Sequence, residues 1–356
     1  MCINHLSCRV LQTVDEQTIR QLIDRVVQKT MSMDFAWDWP AGVAFYGLSQ
    51  AWQATGDQSY IAYLAQWTDN YLAAGLPRFT VNAVSLGHAM LTLFEATGQE
   101  KYLDIARRKA EYLRTEAVRF GEGVLQHTVS QNYNFSEQAW ADTLFMAAYF
   151  LLRLGVKLNH QEYIDDGLKQ YKWHEEFLQD PQTNLYYHAW DNINQNHLSG
   201  IFWARANAWT ALTASEALKL INAMNPSFMV IGDSLRDQLN ALVRLQSDQG
   251  LWHTVLDDQT SYEEVSASAG IATAIINFGE VFGHRIYHPY ILRALAGITA
   301  NISEDGAVKN VSAGTAVMKD VDGYKQVPKK RIQGWGQGLT LAFLSAILKY
   351  QAHNYG

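Results

Sequence analysis

A single carboxylate stands near the head of the apolar run "QAWADTLFMAAYFLLRLG" (138–155). Asp142 falls between Trp140 and Phe145, Met146 follows one helical turn later, and no basic residue comes before Arg153. A carboxylate buried without a partner costs several kcal/mol or gives up its charge. Two readings fit: a helix cap turned to water, or a group lining a cavity, where a raised pKa makes it an acid–base catalyst. Ser136 and Glu137 upstream can start the helix without it, which favours the cavity.

The other residues with chemistry to offer recur at the heads of similar runs. They are Trp39, Asn82, Trp203, Arg205, Trp209, Glu264, Trp335 and Gln337, with Trp140 beside the acid. Arg205 sits among aromatic and small residues in "IFWARANAWTAL", so it either pairs structurally with an acid or serves a ligand. Three histidines hold matching places in "GEGVLQHTV", "QTNLYYHAW" and "DQGLWHTVL": His127, His188 and His253. None has an i, i+4 partner of the kind that marks a zinc site on a helix, so no metal is expected. Hydrogen bonding in the fold and contact with substrate both remain open for them. Rings that can stack, together with amides, acids, a cation and histidines, make the lining expected of a sugar site.

These positions imply a particular set of elements. "ATGDQSYIAYLAQW" and "ATGQEKYLDIARRKA" repeat one pattern: a helix ending at glycine, a short turn, then an amphipathic helix. Before such turns lie six apolar, small-residue-rich stretches, at 38–53, 81–95, 137–152, 202–220, 263–279 and 334–350. Helices apolar on nearly every side are buried. Between them run charged amphipathic stretches at 14–30, 58–74, 99–118, 160–178, 229–246 and 285–299. Alternation of this kind predicts an all-α (α/α)6 barrel, residues 1–356 as one domain, with short strands in the loops at one mouth. Parallel inner helices would gather their N-termini at that mouth, where anions are favoured.

Composition narrows the function. The chain has 356 residues, a net charge of -7 and 12% aromatics, including Trp 11 and Tyr 18. An acidic balance argues against nucleic-acid binding, which needs a basic face. Cys2 and Cys8 are the only cysteines, too few for a disulfide framework or a cysteine zinc site. The N-terminal stretch lacks a signal peptide's basic start and apolar centre, and no run approaches the roughly 20 apolar residues of a membrane span. A cytoplasmic protein is expected.

At "WADTLFM", "YYHAWD" and "WARANAW" the sequence resembles glycoside hydrolase family 105, the unsaturated rhamnogalacturonyl hydrolases, and the related unsaturated glucuronyl hydrolases of family 88. The likeness extends through "YGLSQAWQATGD", "YEEVSASA" and the terminal Gly-x-Gly helix. It implies the (α/α)6 barrel and removal of a 4,5-unsaturated uronic acid from the non-reducing end of lyase-generated, pectin-type oligosaccharides. It also implies that Asp142 is the general acid/base, with Trp39, Asn82, His127, Trp140, His188, Trp203, Arg205, Trp209 and Gln337 around the sugar. No cofactor is implied. Two positions depart from the family pattern: Asn82 stands where an aspartate is expected, and Thr128 follows the loop histidine where lysine is common. A sugar epimerase on the same barrel, using His188 and His253 as its acid/base pair, and an idle sugar-binding homologue are the rival readings.

Overall fold

The computed structural model describes residues 15–130 and 133–355. Its first hairpins follow the repeat seen in the sequence. Helix α1 (Glu16–Met31) is capped by Asp15, and α2 (Trp39–Thr55) by Asp38, whose Oδ1 accepts from Trp39 N at 2.7 Å. Helix α2 ends at Gly56 and α4 (Gly87–Thr97) at Gly98, both left-handed with φ 77 and 67, the conformation glycine adopts freely. After those turns come α3 (Gln58–Ala74) and α5 (Glu100–Thr115).

The remaining helices are α6 (Tyr149–Leu158), α7 (Gln161–Leu178), α8 (Ala204–Leu220), α9 (Pro226–Arg244), α10 (Val265–Phe282), α11 (His288–Thr299), the short α12 (Val321–Lys325) and α13 (Gly334–Tyr355). Helices α2, α4, α6, α8, α10 and α13 each touch the next, and α13 returns to α2, closing a ring. Helices α1, α3, α5, α7, α9 and α11 pack outside it. This is the expected toroid. Contrary to the sequence expectation, one helix, α10, 18 residues with mean hydropathy 1.4, is long and apolar enough for a membrane span; it lies within the ring, mostly buried, as a core helix of this barrel does.

Closure at the α2–α13 seam depends on glycine. A Cβ on Gly338 would stand 2.1 Å from the Val43 carbonyl, and one on Gly47 would stand 2.3 Å from the Gly338 carbonyl. The two backbones touch there, which no larger residue permits.

The helix heads are less regular than the sequence predicts. Ahead of α4, residues Asn82–Leu86 form a 3-10 turn, and ahead of α6, Leu144–Ala148 form a π-helical turn. Short antiparallel ladders join β1 (Arg119–Phe120) to β2 (Val124–Leu125), β3 (Thr128–Ser130) to β4 (Tyr133–Asn134), and β5 (Gln138–Trp140) to β6 (Ala189–Asp191). So 138–140 is strand where the sequence suggests helix, and β5 delivers Trp140 and Asp142 to the mouth of the barrel. Single bridges serve the later loops, Trp203 to Val255 and His253 to Glu263.

Gln337 is a correction to the expected site. It is fully buried on the outer side of α13: its Oε1 accepts from Val308 N at 2.7 Å, and its Nε2 donates toward Gly306 O, Thr30 Oγ1 and Val26 O. It ties α13 to the end of α1 and to the 306–308 turn. Gln337→Leu should therefore lower stability by about 1–3 kcal/mol, because buried donors and acceptors are left unpaired. Denaturant titration and steady-state rates check this together: kcat/KM within about twofold of wild type confirms a scaffold role, and a large rate loss contradicts it.

Candidate functional site

One cavity at the mouth, about 320 Å³, is lined by most of the residues singled out in the sequence. That lies at the lower end of the range for small-molecule sites, enough for a sugar ring, with the mouth open to solvent for the rest of the ligand. Trp39, Asn82, His127, Trp140, Asp142, Trp203, Arg205 and Trp209 all line it. His188 does not; it lies directly behind Asp142. Gln337 is elsewhere, as described above.

Asp142 begins the helical turn that follows β5, so its backbone is fixed by the β5–β6 ladder, and Ala141 N donates to His188 O at 3.0 Å. The same ladder brings up His188. Its Nε2 faces Asp142 Oδ2 at 3.5 Å, and neither atom has a hydrogen-bond partner among the described residues. Its Nδ1 and the Tyr324 hydroxyl are 2.8 Å apart. A carboxylate opposite Nε2 selects the tautomer with hydrogen on Nε2, so the Tyr324 hydroxyl donates to Nδ1.

Burial pushes the His188 pKa down, keeping the ring neutral. For Asp142, burial pushes the pKa up, but His188, His127 and Arg205 together more than offset it, and the carboxyl ends below its ordinary value. The apolar neighbours in sequence suggest a raised value; the groups the fold brings up shift it the other way and favour the carboxylate form of Asp142.

The walls are aromatic. His127 stacks on Trp140 with centroids 4.3 Å apart, Nδ1 and Thr143 Oγ1 stand 3.1 Å apart, and burial holds the His127 pKa down at about 3. Phe135 packs on the same indole at 4.5 Å, and Trp140 Nε1 donates to Gln138 Oε1. Across the cavity Trp39 stacks on Trp335 at 4.5 Å. On the floor Trp209 meets Phe145 at 4.9 Å. Asn82 Oδ1, Trp203 Nε1 and Trp209 Nε1 are buried with no partner among the described residues. Unpaired polar atoms on residues lining one cavity are what hydroxyls of a ligand can satisfy.

Arg205 combines the two readings left open for it. Its guanidinium lies over Trp203, 4.5 Å from the ring centroid, with Trp335 at 5.5 Å. Nη1 faces Glu264 Oε1 at 3.3 Å, inside a buried ion pair, and donates to the Ser312 hydroxyl. Nη2 donates to Ala313 O at 2.9 Å and Thr315 Oγ1 at 3.1 Å. Arg205 is therefore both a structural ion pair and a wall of the cavity. Its partners on the cavity side of Nη2 are neutral, so a carboxylate that displaced them would gain a charge-assisted bond.

Several lining residues were not signalled by the sequence: Val129, Phe135, Gly314, Thr315 and Ala316. The last three belong to an irregular loop without periodicity. Arg205 latches that loop, a link that is not local in sequence. The two departures noted in the sequence are neighbours, since Val81 N donates to Thr128 Oγ1 at 2.8 Å, one residue from Asn82. His253 is apart from the cavity lining; its Nδ1 donates to Ser261 O. Neither His253 nor His188 lines the cavity, which counts against their use as an acid/base pair on a sugar bound there. No group of three or more metal-ligating side chains occurs among the described residues.

Comparison with known proteins places the chain among described hydrolases. Glycosyl Hydrolase Family 88 matches residues 10–351. The chain is 56% identical over 342 residues to the unsaturated rhamnogalacturonyl hydrolase YesR of Bacillus subtilis (strain 168), covering 96% of this chain and 98% of that protein. A crystal structure of a possible member of the GH105 family from Salmonella enterica serovar Paratyphi A superposes with a TM-score of 0.89 at 28% identity, covering 98% of this chain and 99% of that one. The unsaturated glucuronyl hydrolase of Bacillus sp. GL1, which acts in glycosaminoglycan degradation, shares the fold at TM-score 0.69 and 16% identity, over 93% and 96% of the two chains.

Proposed function

The chain belongs to glycosyl hydrolase family 88, and from that premise we propose that it removes a 4,5-unsaturated uronic acid from the non-reducing end of lyase-generated oligosaccharides of the rhamnogalacturonan type. The observation that carries the reading is Asp142: one carboxylate backed by a neutral histidine, in a cavity with aromatic walls and unpaired polar atoms.

An unsaturated uronate needs only one such group. Its C4=C5 bond is a vinyl ether, conjugated to the carboxylate and to the ring oxygen. Asp142 donates a proton to C4, and the positive charge left at C5 is shared with the ring oxygen. The carboxylate that results takes a proton from the water that attacks C5. The hemiketal so formed opens by breaking the bond between C5 and the ring oxygen, giving a ketone at C5 and a hemiacetal at C1. That hemiacetal expels the aglycone as its alcohol. One water is consumed, and Asp142 ends as it began. Asn82 then serves as a neutral hydrogen-bonding group toward a sugar hydroxyl, and a second carboxylate is not needed.

Protonation of Asp142 must come with the substrate. The protein's own groups favour its ionised form, and the uronate brings a second negative charge into the cavity, which raises the pKa of Asp142. The carboxylate exchanges for the neutral partners on Arg205 Nη2, and the rings of Trp39 and Trp140 flank the sugar.

This gives a pH signature. The acid form is the active one, so kcat and kcat/KM both fall as pH rises. The kcat/KM limb reports the free enzyme, where Asp142 lies below its ordinary 3.8, and the kcat limb reports the complex, where it lies higher. Steady-state rates across pH should place the kcat limb above the kcat/KM limb. Coincident limbs, or the reverse order, contradict substrate-induced protonation.

A further inference from the structure

We propose that Lys109 is a positioning residue of this site: from the outer ring its ammonium reaches inward and fixes, as one unit, the turn that carries Asn82 and the helix head that carries Trp39. The inference rests on the hydrolase reading above, and it concerns a residue that touches no part of the cavity.

Lys109 lies on α5, yet it is completely buried. No carboxylate stands within ion-pair distance of it among the described residues. Its Nζ donates to Ala83 O at 2.8 Å, inside the 3-10 turn and adjacent to Asn82. The ammonium also lies 4.6 Å from the ring centroid of Phe79 and 5.3 Å from that of Trp37. Phe79 enters the Asn82 turn, and Trp37 enters α2 just before Trp39. One cation thus holds the leading segments of two walls that line the cavity from different hairpins.

A buried ammonium without a salt bridge is costly, and a well-packed apolar side chain of similar volume is usually as stable or more so. The cost is visible in its ionisation. Burial pulls the Lys109 pKa down to about 7, with the Asp38 carboxylate favouring the charge and Arg108 on the same helix opposing it. Scaffold packing alone does not account for the choice of lysine. Orientation does, because a carbonyl locked by a charged donor fixes the turn more tightly than water or packing could. Misplacing a contact group by about 1 Å is enough to cost up to about 100-fold in rate.

Stability and catalysis should therefore part company in Lys109→Met. The probe is the unsaturated disaccharide produced by lyase digestion of rhamnogalacturonan, followed by loss of ultraviolet absorbance. Turnover of that disaccharide by the unaltered enzyme tests the hydrolase reading, and the ratio of variant to wild type tests Lys109. Below pH about 7, where the lysine is charged, Lys109→Met should melt at the same temperature as wild type or higher. Its kcat/KM should nonetheless fall about tenfold or more. Lys109→Gln, which keeps an N–H donor, should recover part of that loss. Rates within about twofold of wild type in Lys109→Met overturn the proposal, as does a rate loss matched by a loss of melting temperature. A Gln variant no better than Met overturns the bond to Ala83 as the working contact.

Discussion

Asp142→Asn should fold and melt like the wild type and lose about 10³-fold in kcat, within the range that a single general acid/base contributes. The substitution keeps the shape and removes the proton that reaches C4. His188 Nε2 can still face the amide oxygen, so the β5–β6 ladder and the aromatic walls stay in place. KM should change little, because the substrate's stacking and hydroxyl contacts are untouched. The check is the rate of absorbance loss on an unsaturated disaccharide, with tryptophan fluorescence reporting binding. A variant that binds and still turns over at near wild-type rate removes Asp142 from the chemistry. The lowered pKa of Asp142 sharpens the point, since a carboxylate that must be protonated by substrate binding is not replaceable by a neutral amide.

The second large effect falls on stability. Glu264 is fully buried at the head of α10 and accepts from Ala267 N, the Ser266 hydroxyl, Ser312 N and Arg205 Nη1. Glu264→Ala leaves the Arg205 cation buried without its counter-charge and frees two backbone N–H groups. Breaking a buried pair on one side costs about 3–5 kcal/mol. Total stability of a folded protein is about 5–15 kcal/mol, so the variant should lose a large share of it and unfold at a clearly lower denaturant concentration than wild type. Denaturant titration of Glu264→Ala beside the double replacement Arg205→Met with Glu264→Leu separates the causes. The double variant should be the more stable of the two, because no charge is stranded in it. A loss below about 1 kcal/mol in Glu264→Ala would mean that water reaches the guanidinium and the pair is not truly buried.

Much of this site is legible from the chain alone, for a physical reason. Inner helices of a closed ring must be apolar on nearly all sides, so a polar or ionisable residue at the head of one has few places to be except the mouth. Asp142, Asn82 and Arg205 stand out on that ground, and Trp39, Trp140, Trp203 and Trp209 beside them. Gln337 passes the same test and fails for a rotational reason. Trp335 packs toward the cavity wall, and two residues on lies about 200° round the helix, facing α1 instead.

What the sequence hides is mostly non-local. The ionisation of Asp142 is set by His188, which a separate strand brings up, so its neighbours in the chain point the wrong way. The 3-10 and π-helical turns at two heads arise from tertiary placement, which periodicity does not record. Lys109 looks like one more charge on an amphipathic outer helix, and only its burial sets it apart. Thr315 and its neighbours have no pattern at all. They line the cavity because Arg205 holds them there.

Offering the enzyme two matched disaccharides, one ending in the unsaturated uronate and one in its saturated counterpart, tests the central claim most directly. Hydration of the double bond by Asp142 predicts that absorbance disappears and aglycone is released in equal amounts from the first, while the second is left intact. Cleavage of the saturated disaccharide, or release of aglycone while the double bond persists, would contradict it.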